Sequence, residues 1–160
     1  MRSSLLALVV VALTGCGVGS SESGTTTRVS GVPGPGTTLY AGGDWAVSLD
    51  GVHATAFHRV AGTWSADTTG IVKIRILGPD GTVAATPQVA AELSAAKPLI
   101  ESGMWVDGVE IIAKGGGLKP TRGTIYGAPR APLAKGTHVA VAYARTAEHA
   151  TAVAWSFHVG

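Results

Sequence analysis

The chain lacks a second cysteine. Cys16 stands alone among 160 residues, which excludes an intramolecular disulfide and any four-cysteine metal centre. An exported form of the chain must therefore hold its fold by packing alone. Charge is scarce as well: 14% of residues are charged and the formal net charge is +2, a balance that argues against nucleic acid as a partner. The longest apolar run, Leu5 to Leu13, has nine residues, under half of the roughly twenty that a membrane-spanning helix needs. There is no Gly-x-Ser-x-Gly elbow, His-Glu-x-x-His pair or P-loop. No local motif supports an enzyme.

What is present begins with a leader. Met1-Arg2-Ser3-Ser4 gives a positive start, the apolar run follows, and Leu13-Thr14-Gly15-Cys16 closes it with small residues, the anatomy of a signal peptide over residues 1–15. Leu-Thr-Gly-Cys resembles the lipobox of bacterial lipoproteins. The resemblance implies that the Cys16 sulfur receives diacylglycerol and that the leader is cut just before it. Two acyl chains give the stable membrane anchoring that one chain does not. The expected location is the extracytoplasmic face of the cell membrane. From Cys16 to Thr38 the chain is mostly Gly, Ser, Thr and Pro, too poor in apolar side chains to order itself. It reads as a flexible tether, with one folded domain over residues 39–160.

That domain reads as strands. Trp45 to Leu49, His53 to Val60, Thr63 to Ala66 and Ile71 to Leu77 are short runs divided by Asp50-Gly51, Gly62 and Gly70. Within the last run Val72, Ile74 and Ile76 alternate with Lys73 and Arg75. Gly78-Pro79-Asp80-Gly81 is a turn, and Trp105-Val106, Asp107-Gly108 and Val109 to Ala113 make a hairpin signature. Gly115-Gly116-Gly117 and Pro120 read as a loop, and Gly123 to Tyr126 as a short strand. A final pair, Lys135 to Tyr143 and Thr151 to Val159, turns near Glu148, each arm offering an apolar face to one core. The segment between Thr86 and Pro98 carries two signals. Thr86-Pro87 has the form of a helix start, while Val89, Ala91, Leu93 and Ala95 alternate as on a strand.

Pro79 to Leu93, Pro132 to Val139 and the closing Trp155-Ser156-Phe157-His158-Val159 resemble the CopC-like and bacterial Ig-like domains. The resemblance implies an all-β, Ig-like antiparallel β-sandwich and makes residues 87–97 a strand. Copper-binding members of that family hold metal through an N-terminal histidine and an Asp-Gly-His in the last hairpin turn. Here Ala147 and Glu148 replace the aspartate and glycine, and His149 alone agrees.

Two site hypotheses follow. His53 and His58 are an odd number of residues apart, so one strand points them to opposite faces. A turn centred near Glu148 would set His138 opposite His158, with His149 beside them, as a copper or zinc site. The stretch from Ile111 to Ala147 has no acidic residue but holds Lys114, Lys119, Arg122, Arg130, Lys135 and Arg145, a candidate surface for polyanions such as cell-wall polymer. Of the four tryptophans Trp105, just before a turn, is the one expected at the surface. The function expected is a binding or interaction module at the cell envelope, not an enzyme, with no cofactor. Its partners would be the membrane and either wall polymer or another envelope protein. An envelope copper or zinc carrier, and a structural accessory to another envelope protein, are the alternatives.

Overall fold

A computed structural model describes residues 36–111, 116–119 and 121–160. The leader, Cys16 and most of the tether lie outside them. Among the described residues there are thirteen strands and no helix. The first four, β1 (Thr37–Gly42), β2 (Trp45–Asp50), β3 (His53–Val60) and β4 (Thr63–Ala66), form an antiparallel meander. Thr37 and Thr38, read as tether, already belong to β1. The turns follow local chemistry: Ala61-Gly62, at φ of 49° and 82°, supply the two left-handed positions of a tight hairpin between β3 and β4.

A second sheet contains β5 (Val72–Gly78), β7 (Val89–Ala95), β10 (Gly116–Lys119) and β11 (Arg122–Gly127), in the order β10-β11-β7-β5. The contested segment is thus a strand. It runs between β5 and β11 with Val89, Ala91 and Leu93 fully buried. Gly116 to Lys119, read as loop, is an edge strand instead. Its ladder to β11 supplies what a glycine-rich sequence has no side chains to signal.

The third sheet holds β6 (Thr82–Val83), β8 (Glu101–Val106), β9 (Val109–Glu110), β12 (Gly136–Arg145) and β13 (Ala150–Val159), in the order β6-β13-β12-β8-β9. It has a core on each face. In front, Ala140, Ala142, Ala144, Trp155 and Phe157 meet Val72, Val89, Leu93 and Ile125 of the second sheet. Behind, Trp105, Val141, Tyr143 and Ala150 meet Trp45, Val47 and Ala56 of the meander. The second and third sheets form the expected antiparallel β-sandwich, and the meander packs on its back.

This corrects the expectation of one core. Val139 to Ala144 contains no polar residue, as suits a strand buried on both faces. It also corrects Trp105, which is 4% exposed. The glycine two residues earlier makes room for it: a Cβ at Gly103 would lie 2.6 Å from the indole Cη2. Each fully buried Leu, Ile or Val contributes about 1.5–3 kcal/mol, and no disulfide is needed to explain the closure.

Candidate functional site

The β8–β9 hairpin turns on Asp107-Gly108, at φ of 50° and 79°. Asp107 is tied to the neighbouring strand three times. Its amide donates to the Val139 carbonyl (2.9 Å), its Oδ1 accepts from the Val139 amide (3.0 Å), and its Oδ2 faces His138 Nδ1 at 2.6 Å. On the far side of the same imidazole, Nε2 lies 2.7 Å from the Ala134 carbonyl. His138 therefore joins the hairpin turn to the chain that leads into β12. That chain, residues 128–135, is held to the rest of the domain by Leu133, whose amide donates to Ala85 at 2.7 Å.

Between the hairpin and this segment lies a cleft of about 260 Å³. Its walls are mostly apolar: Val106, Val109 and Ile111 from the hairpin, Pro129, Pro132 and Leu133 from the segment. Among the described residues Asp107, Glu110 and Arg130 bring the only formal charges. Val109 is 66% exposed, so an apolar side chain is already presented to whatever enters.

His138 is 8% exposed and both of its nitrogens face oxygen acceptors. A neutral imidazole has one N–H and satisfies one of them; only the imidazolium donates at both ends. The Asp107 hydrogen bond, and then the Ala134 carbonyl, hold the His138 pKa above the ordinary histidine range, with burial working against them. The stability this contributes is complete below the unfolded value near 6.5 and is lost as pH rises through the higher folded value.

The expected histidine pair does not form. In the β12–β13 ladder His138 lies opposite Phe157, and His158 opposite Thr137. The cause is the turn. Arg145 pairs with Ala150, leaving four residues between them, because Thr146 Oγ1 accepts from the amides of Glu148 (3.3 Å) and His149 (3.0 Å). A turn centred on Glu148 needs an odd number of residues. The even number slips the register by one and sends every side chain to the other face. His138 therefore points inward beside Phe157, and His158 outward.

His149 is elsewhere, its Nδ1 3.3 Å from both Asp67 Oδ2 and Thr69 Oγ1. Asp67 is a clamp that the sequence reading passed over. Its carboxylate also accepts from the Ala150 amide (2.8 Å) and from the Thr69 amide and hydroxyl. Burial alone would raise its pKa; the bonds from Thr69 and Ala150 outweigh that and hold it below the ordinary range. The Asp67-Thr68-Thr69 spacing, an Asx turn, was the available signal. Among the described residues no three His, Cys, Asp or Glu side chains gather as a metal site. His53 and His58 part as expected: His58 stacks on Trp45, ring centres 3.9 Å apart, and His53 is exposed.

Among the described residues the basic side chains come from separate parts of the fold. Arg122 opens β11, whose far end at Gly127 lies about 17 Å on at the rise of a strand, and Arg130 and Lys135 come later in the chain. Arg145 is committed to Glu101 and lies 5.4 Å over the Trp45 ring. The side chains of Lys114 and Lys119 lie outside the described residues. Of the described basic residues Arg130 reaches the cleft. No protein-family model and no curated protein matches this chain.

Proposed function

We propose that this chain is a lipoprotein of the cell envelope, anchored through Cys16, whose β-sandwich is an interaction module. Its partner, another envelope protein, engages the cleft between the β8–β9 hairpin and residues 129–133. The observation that carries this reading is the cleft itself: an apolar concavity with a few charged groups at its edge is the usual form of a binding site. At about 260 Å³ it falls just below the 300–1,000 Å³ of sites for drug-sized molecules. It suits one or two anchoring side chains of a macromolecular partner. The leader and its resemblance to a lipobox support the location.

Three measurements test this. Cys16→Ser should move the protein from the membrane fraction to the soluble one; recovery of the unaltered protein from the medium with a free thiol would refute the anchor. A photo-crosslinker at Val109 should capture a discrete partner in whole cells, and one at Val52, exposed on the meander, should not. With that partner in hand, Val109→Asp should weaken association at least tenfold, about 1.4 kcal/mol, without changing the melting temperature. Equal adducts from both positions would refute the cleft as the binding site.

A further inference from the structure

We propose that His138 is a proton-operated latch on this cleft, its imidazolium tying the Ala134 wall to the Asp107 wall and releasing the Ala134 wall when it loses a proton. Its meaning for binding rests on the reading of the cleft given above; the latch itself is a property of the folded chain. The argument is one of hydrogen-bond capacity. Two oxygen acceptors sit at 2.6 and 2.7 Å on opposite sides of one ring. A neutral ring necessarily turns a lone pair toward one of them.

Which contact fails can be decided from what else holds each wall. The bond to the Asp107 carboxylate is charge-assisted and the stronger of the two, and Asp107 keeps its two further bonds to Val139. Ala134 is exposed, and the segment around it is otherwise held at Leu133, by its amide on Ala85 and its side chain against the front core. Deprotonation therefore leaves Nδ1–H on Asp107, turns the Nε2 lone pair on Ala134, and leaves residues 128–135 held at Leu133.

Among the described residues no other charged group competes for the ring. Asp107, on the β8–β9 turn, is the one charge that acts on His138. Glu110 on β9 and Arg130 on the segment line the cleft without a hydrogen bond to the imidazole. Lys135 is exposed. On β13, His158 pairs with Thr137 and so faces the opposite side, leaving the ring of Phe157 against His138 at 5.7 Å. In the second sheet nothing titratable bonds to it.

The test is nuclear magnetic resonance on the ¹⁵N-labelled soluble domain beginning after Cys16. At pH 6 both His138 nitrogens should report as protonated. As the pH is raised, hydrogen-exchange protection of the Leu133 amide, the one amide of the segment bonded to the rest of the domain, corrected for the intrinsic pH dependence of exchange, should fall about tenfold, the worth of one hydrogen bond to a charged group. That fall should coincide with loss of the His138 proton, while Val139 stays protected. Asp107→Asn is the decisive variant. An asparagine amide can donate to Nδ1, so a neutral ring with a proton on Nε2 satisfies both walls. The variant should keep the segment protected across the titration, and asparagine tolerates the left-handed turn position.

A single protonated nitrogen at pH 6, or a pH-dependent loss of protection that survives in Asp107→Asn, would overturn the latch. A normal titration combined with failure of the Val109 crosslink would instead count against the cleft as a binding site and leave the latch standing.

Discussion

Trp105→Ala is expected to lower the unfolding free energy by about 3–5 kcal/mol and the melting temperature by about 10–20 °C. The indole sits in the core between the meander and the back of the third sheet, with Trp45, Val141 and Tyr143. The Tyr40 ring centre is 6.4 Å away. Both sheets are closed by their own ladders, so the space left by the ring cannot collapse. The meander meets the sandwich through this core, so its amides, those of β2 and β3, should lose more protection than those of β7 and β11. Urea denaturation with hydrogen exchange reads both effects. Were the ring at the surface, as its place before a turn implies, the change would stay within about 0.5 kcal/mol.

Ala91→Asp is expected to be more damaging still. Ala91 is fully buried at the middle of β7, between Ile125 and Ile76 on the flanking strands. An unpaired carboxylate there costs several kcal/mol, enough to remove most of the 5–15 kcal/mol by which a domain is stable. The neighbouring Glu92→Ala should cost about 0.2–1 kcal/mol, because the Glu92–Arg75 ion pair is solvent-exposed. The contrast separates the two readings of this segment. On a helix Ala91 would stand about 200° around from Val89, away from the apolar stripe, and the aspartate would be tolerated. A circular dichroism melt of each variant decides it.

These two positions show how far local signals reach. The strands β2 to β5, the Asp107-Gly108 hairpin and the last strand pair were legible because alternation and turn chemistry are properties of neighbouring residues. Trp105 was misplaced because burial there depends on the meander, which begins more than fifty residues earlier. The one-faced reading of β12 left its alanines out of the core. Ala140, Ala142 and Ala144 are as buried as Val141 and Tyr143, and the absence of any polar residue over that stretch was the available cue.

The histidine site failed for a smaller reason. The hydroxyl of one buried threonine, Thr146, closes a turn of even length, and that reverses which histidine faces inward. The cleft had no local signature at all, since its walls come from residues 106–111 and 129–133, joined by the imidazole of His138. That residue was singled out in the sequence as a metal ligand, and its role here is the opposite: both nitrogens are already engaged.

Cross-strand nuclear Overhauser effects from the His138 ring are the most direct test of this arrangement. A four-residue turn predicts contacts to the Phe157 ring and to the side chain of Asp107. Contacts between the His138 and His158 rings would instead place the two histidines on one outward face, and neither the cleft nor its latch would survive that result.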